Sequence, residues 1–211
     1  ITTAKLGVRT STGDREGESV AEAPVPELIE VDVLKVLEGF MGQITQIPPM
    51  YSALKHNGKP LYELARAGQT IEVKSREITI LELKLLRIGE DELDLEVLCT
   101  KGTYIRTLVE DIAKALGSEG HVSMLRRLAA GPFTAAQQIT LEELHQIAEE
   151  GGHELLDQKL FPMEVAVGDM PELVLDESQA KAILHGQRVN WTNNSPSGRV
   201  QLRFRDDSRD L

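Results

Sequence analysis

The 211-residue sequence predicts an α+β fold built on a mixed, mainly antiparallel sheet. Three observations carry that prediction. Two long stretches with apolar residues at a period of two, "EITILELKLLRI" and "DELDLEVLCT", are separated only by the turn "GEDE", so they read as neighbouring strands. An amphipathic helix follows them: Ile105, Leu108, Val109, Ile112 and Leu116 recur at helical spacing on one face, and Gly117 is placed to stop it. Elsewhere helices and strands do not alternate in the regular βαβ order that a parallel sheet needs.

Taken in order, "ITTAKLGVRT" reads as a strand, followed by a Gly/Ser/Asp/Glu-rich acidic loop over 11–26 that is expected to be mobile. Val33, Leu34, Leu37, Phe40 and Met41 predict a helix closed near Gly42. "QIPPMYSALK" must begin extended, because its two prolines fix φ and lack amide donors. "KHNGKP" carries Asn57-Gly58, a strong signal for a tight hairpin turn. "LYELARAG" reads as two helical turns stopped by Gly68. The helix after the long strands is expected to take Thr103 as N-cap, which places Arg106 at about the third helical position. "HVSMLRRLAAGPF" carries adjacent arginines of the kind usually found on a helix surface, and "TLEELHQIAEE" is a helix capped by Thr140. From about residue 161 the texture changes to short strands around one helix, "MPELVLDESQAKAILHGQRV" and "GRVQLRFRDD". The boundaries expected are 1–160 for the first domain and 161–211 for the second.

Apolar residues make up 41% and charged residues 27%, which is ordinary for a soluble globular chain with a real core. No apolar run is long enough to span a bilayer, and a reduced, cytoplasmic protein is expected from the single cysteine, Cys99. Beginning at Ile1, the chain is expected to lack a leading segment. The net charge of −11 argues at first against a nucleic-acid partner. The distribution points the other way, because residues 140–178 hold eleven Asp and Glu against one lysine. Lys55, Lys59, Arg66, Lys74 and Arg76, then Lys101, Arg106, Arg126 and Arg127, gather elsewhere and allow a basic face.

"KGTYIR" holds the most chemistry. Lys101-Gly102 lets the backbone turn close to a ligand, and helix amides plus Arg106 then converge on one negative group. First helical turns favour Asp or Glu, so an arginine there makes sense where an anion is held; a solvated arginine at a strand-to-helix turn is the plain alternative. Tyr51 with Lys55 and Lys59 on the hairpin forms a possible nucleic-acid finger, or simply a solvated basic hairpin. The five histidines lack metal-ligand spacing, so no metal is expected. No Ser-His-Asp arrangement or phosphate-cradling glycine loop can be argued from spacing.

Taken together and in order, "QIPPMYSALKHNGKPLYELARAG", "CTKGTYIRTLVEDIAKALG" and "HVSMLRRLAAGPF" resemble the bacterial TruB family, which converts a uridine in the tRNA T-loop to pseudouridine. "LGVRTSTGDREG" is similar to that family's LG-x-x-T-x-T-x-D-x-x-G loop, with Ser11 where Asp is usual. The tail resembles the small β-rich PUA-like RNA-binding domain that follows the catalytic domain. The resemblance implies a pseudouridine synthase fold and an isomerase with no cofactor and no metal. It implies tRNA as partner through the T stem-loop, no membrane, and a monomer.

It also implies roles. Arg106 would ion-pair with the nucleophilic aspartate, and Tyr104 would line the same pocket. Leu125 would pack on the flipped uridine. Lys101, Gly102, Arg126, Arg127 and the finger of Tyr51, Lys55 and Lys59 would meet RNA. The family's nucleophile lies in a G-x-L-D-P-x-A-x-G stretch, and no such stretch occurs in these 211 residues. It is expected upstream of Ile1, and the chain alone is expected to be inactive. Two rival readings stand beside this one: a non-catalytic RNA-binding or RNA-folding protein on the same scaffold, and a nucleotide-binding enzyme using the Arg106 helix end as a phosphate site.

Overall fold

The computed structural model describes residues 1–191 and 197–204. The last residues of the predicted strand "GRVQLRFRDD", from 205 onward, lie outside the described residues. The chain divides into two compact units, 1–127 and 128–211.

The first unit is a five-stranded sheet in the order β4-β7-β8-β1-β9, every pairing antiparallel. Its strands are β1 (Thr2–Leu6), β4 (Gly42–Gln46), β7 (Arg76–Ile88), β8 (Glu92–Cys99) and β9 (Gly120–Leu125). The two long alternating stretches are β7 and β8, paired as their short connection demands. The N-terminal strand β1 lies between β8 and β9, so residues about 90 and 120 positions away flank it. Two helices cover one face, α1 (Glu30–Glu38) and α3 (Ile105–Ala115). Val33 and Leu37 of α1, and Leu108, Val109, Ile112 and Ala113 of α3, join Ala4, Leu6, Ile78, Ile80, Leu93, Leu95 and Val122 in one core. Each large aliphatic side chain withdrawn from water there contributes about 1.5–3 kcal/mol. Gly120 allows the close contact between α3, β1 and β9: a Cβ on it would stand 2.6 Å from Ala113 Cβ and 3.1 Å from the Lys5 carbonyl. On the sheet near Arg87, Asp94 accepts from Thr3 Oγ1 at 2.6 Å and from Arg87 Nε at 2.6 Å. That guanidinium and hydroxyl hold the Asp94 carboxyl below its ordinary range.

Smaller elements decorate the sheet. The hairpin of β5 (Lys55–His56) and β6 (Lys59–Pro60) turns through Asn57 and Gly58, both at positive φ, and runs into α2 (Leu61–Arg66). The stretch from 11 to 26, expected to be mobile, is instead a pinned hairpin. It opens on β2 (Val8–Thr10) and returns as β3 (Ser19–Glu22), with Ser11 N donating to the Glu18 carbonyl at 2.9 Å. Its tip is sewn to β9: Arg15 N donates to the Val122 carbonyl, and Val122 N donates to the Gly13 carbonyl, each at 3.0 Å. Polar, glycine-containing composition signals a turn; it carries no information about the distant strand that fixes it.

The second unit, taken by itself, begins with a short hairpin of β10 (Ala129–Ala130) and β11 (Phe133–Thr134). Helix α4 (Leu141–Asp157) follows, capped by Thr140 and Glu143 in a capping box and broken at Gly151 and Gly152. Strands β12 (Glu172–Leu175) and β13 (Gln201–Phe204) pair in parallel, with α5 (Glu177–Leu184) in the connection between them. Among the described residues no helix is long and apolar enough to cross a membrane.

Candidate active site

Every candidate catalytic or RNA-binding residue named from the sequence lies in the first unit. At the centre is the start of α3. The helix begins one residue later than expected: Tyr104, extended at φ −103°, is the N-cap and Arg106 is the second helical residue. Thr103 is not the cap, because its hydroxyl donates to the Thr100 carbonyl at 2.8 Å. Tyr104 has no side-chain cap, and the first turn carries no acid, which leaves the helix end electropositive.

Arg106 is partly buried and held by three acceptors. Its Nη1 donates to the Thr12 carbonyl at 2.7 Å and to Asp14 Oδ2 at 3.2 Å, and its Nη2 donates to the Tyr51 carbonyl at 2.7 Å. Three segments remote in sequence therefore meet on one guanidinium. Asp14 is itself oriented, since its Oδ1 accepts from Thr12 Oγ1 at 2.7 Å and from the Glu16 amide at 3.2 Å. Its backbone carbonyl takes the Thr10 hydroxyl at 2.6 Å. The sequence pattern places Asp14 in a mobile loop; the structure makes it the acidic partner of Arg106. Gly13 permits this docking. It sits at φ +76°, and a Cβ there would come within 2.7 Å of Glu110 Oε1 and 3.2 Å of Arg106 Cβ. Glu110 and Asp111, one turn along α3, are partly buried, and desolvation raises both carboxyls above their usual values.

Gln46 completes the frame. It is 3% exposed and ends β4. Its Oε1 accepts from the Tyr104 amide at 2.8 Å, and its Nε2 donates to the Tyr104 carbonyl at 3.1 Å. Sequence reasoning missed it, although a signal existed. The alternation of β4 puts Gln46 on the same face as Ile44, where an apolar residue is the default.

Of the anticipated residues, Arg106, Tyr104 and Tyr51 are brought together. Lys101 and Gly102 form the exposed turn just before α3, with Gly102 at φ +89°. Lys55 and Lys59 are exposed on either side of the Asn57-Gly58 turn. Leu125 is the last residue of β9, 54% exposed and paired with Thr2. Arg126 follows it, its amide donating to the Ile1 carbonyl at 2.9 Å and its side chain exposed. Arg127 is also exposed. The arginine pair thus follows a strand, not a helix as its spacing suggested, because β9 is recruited by β1 from across the chain. Cys99 is a free, partly buried thiol packed against the core. Among the described residues no group of three or more His, Cys, Asp or Glu is placed to hold a metal ion.

Comparison with known proteins places the chain as a whole. Residues 1–105 match the model of the TruB family pseudouridylate synthase N-terminal domain. Residues 106–168 match the tRNA pseudouridylate synthase B C-terminal domain, and 171–210 the C-terminal domain of pseudouridine synthase II TruB. The tRNA pseudouridine synthase B of Pseudomonas fluorescens (strain Pf0-1) is 49% identical over 201 residues, covering 95% of this chain and 66% of that protein. The same-named protein of Haemophilus influenzae (strain Rd) is 48% identical over 203 residues, covering 96% of this chain and 65% of that one. The chain thus spans just under two thirds of the length of these relatives. Among solved structures, a chain in the crystal structure of a Cbf5-Nop10-Gar1 complex superposes with a TM-score of 0.61 at 27% identity, over 87% of this chain and 48% of that one. A chain in an H/ACA RNP bound to a substrate RNA containing 2'-deoxyuridine matches in fold alone, with a TM-score of 0.59 at 24% identity over 89% and 47%. With three family models in succession and near-complete coverage at almost half identity in agreement, this chain belongs to the TruB family of pseudouridine synthases.

Proposed function

We propose that the protein to which this chain belongs isomerises uridine to pseudouridine in the T-loop of tRNA, with Arg106 and Tyr104 in its catalytic machinery. The observation that carries the reading is the fixed guanidinium at the open end of α3. A guanidinium presents five N–H donors, and three hydrogen bonds fasten this one to Thr12, Asp14 and Tyr51. The remaining donors serve a second carboxylate, the nucleophile, which the family carries in a G-x-L-D-P stretch outside these 211 residues. Beside an arginine and a helix N-terminus, that carboxylate stays ionised and oriented toward the uridine. Asp14 acts through Arg106: it balances the guanidinium charge and fixes its plane, so Asp14 is a positioning residue.

The exposed lysines of the hairpin and of the Lys101-Gly102 turn, with Arg126 and Arg127, bind RNA phosphates, and Leu125 packs on the base once it leaves its stack. The tail from about residue 161 is the PUA-like RNA-binding part, and 171–210 within it matches a C-terminal family model of its own. The reading implies neither cofactor nor metal, since isomerisation needs neither redox chemistry nor hydrolysis.

The test is Arg106→Lys in the full open reading frame that encodes this chain. A point charge replaces a planar fork and can satisfy only part of the acceptor set. Single-turnover pseudouridine formation is expected to collapse while tRNA affinity in filter binding stays near that of the parent. Near-parental turnover would remove Arg106 from the catalytic list. Parental protein that binds tRNA but forms no pseudouridine would favour the RNA-folding alternative.

A further inference from the structure

We infer that Gln46 is a positioning residue for this site, acting as a clamp that sets both sides of the Arg106–Tyr51 contact; the catalytic half of this inference rests on the function proposed above. A primary amide presents a carbonyl and an N–H side by side, which matches the paired N–H and C=O of a residue in extended backbone. Tyr104 has that conformation, and Gln46 engages both of its backbone groups, at 2.8 and 3.1 Å. The side chain thereby continues the pairing of the sheet one step beyond β4, onto the residue from which α3 starts. The Tyr104 carbonyl also receives the Leu108 amide at 3.0 Å, the first turn of the helix. Moving Gln46 therefore moves the helix origin, and Arg106 is only two residues into that helix.

The same residue anchors the other side. The chain leaves Gln46 through Ile47, Pro48, Pro49 and Met50 to Tyr51, whose carbonyl accepts from Arg106 Nη2 at 2.7 Å. Two consecutive prolines restrict φ along this span, so the location of the Tyr51 carbonyl follows from where the span begins. Burial makes the clamp stringent: at 3% exposure neither amide group has water as an alternative partner. A glutamine at an inward strand position is costly unless its polar atoms are satisfied, and here both are.

The experiment has two readouts. In this chain, Gln46→Met removes the amide with little change of volume, and Gln46→Asn keeps the amide but shortens its reach. Hydrogen exchange of the Tyr104 amide is expected to accelerate in both, while the amides of Leu93 and Leu95 in the sheet keep their protection. In the full open reading frame, both variants are expected to lower the single-turnover rate roughly ten- to a hundredfold, the scale of a small misplacement of catalytic groups, with the dissociation constant for a T-arm RNA within about twofold of the parent. Unchanged Tyr104 exchange would overturn the clamp. Parental rates despite faster exchange would overturn its catalytic consequence, as would rate and affinity falling together with sheet protection, the mark of a structural role alone. Parental protein without any pseudouridine formation would sink the function proposed above and the catalytic half with it, while Tyr104 exchange still decides the clamp.

Discussion

Replacing Gly13 by alanine tests whether the loop carrying Thr12 and Asp14 is built for α3 or merely rests against it. Gly13 adopts φ +76°, a region that costs an L-residue roughly 1–2 kcal/mol. The loop cannot relax by turning Gly13 to negative φ, because the hydrogen bonds around it fix the peptide planes on both sides. Gly13 N donates to the Thr10 carbonyl, the Gly13 carbonyl receives Val122 N, and Arg15 N reaches the Val122 carbonyl. The new methyl would also lie 2.7 Å from Glu110 Oε1 and 3.2 Å from Arg106 Cβ. The carboxylate is the far end of a flexible side chain and can swing aside; the Arg106 Cβ is fixed to the helix and must yield by a few tenths of an ångström. Against this, alanine narrows the unfolded ensemble, an offset of about 0.4–1 kcal/mol. The net expectation is a loss of about 1–2 kcal/mol, the sum of strain and contact less that offset.

Urea titration followed by circular dichroism measures the global part, and hydrogen exchange at Val122 measures the local part, since that amide bonds to Gly13. Glu110→Ala separates the causes: in that background the carboxylate contact vanishes and the φ strain remains. A cost below about 0.5 kcal/mol, with Val122 protection unchanged, would refute the argument that the loop geometry demands glycine.

Two further expectations follow from the same geometry. Replacing both Arg126 and Arg127 with alanine should weaken tRNA binding and flatten its salt dependence, each lost phosphate contact lowering the log–log slope by about 0.7–0.9; an unchanged slope in filter binding would return the pair to the bare surface. Glu110→Gln should stabilise the chain at neutral pH and not at acid pH. Burial raises the Glu110 carboxyl above its ordinary 4.5, so the folded state binds a proton that the unfolded state has released, and stability falls as pH rises through that interval. The glutamine removes this penalty, so urea midpoints should differ at pH 7 and converge below about pH 4.5. Equal midpoints at both pH values would show that the desolvation of Glu110 is already offset by Arg9 and Lys114.

Much of the scaffold was written locally in the sequence. Period two over residues 76–99 yields β7 and β8, helical spacing from Ile105 yields α3, Asn57-Gly58 yields the hairpin turn, and Thr140 with Glu143 caps α4. These features depend on contacts between residues a few positions apart, so side-chain spacing and backbone propensity determine them. Arg106 was also legible, because an arginine in the first turn of a helix is out of place unless an anion is held there. Its surroundings were not. The pinning of the 11–26 loop on β9, Asp14 as the acid beside Arg106, and Gln46 on Tyr104 join residues separated by 58 to more than 90 positions. No local pattern encodes such partners: a polar loop and a buried glutamine declare only that they need hydrogen bonds, and the order of strands in the sheet decides who supplies them. The sequence by itself determined the long strands, α3, the Asn57-Gly58 turn and which cation matters; the tertiary structure decided that 11–26 and 120–125 join the sheet region and what holds that cation in place.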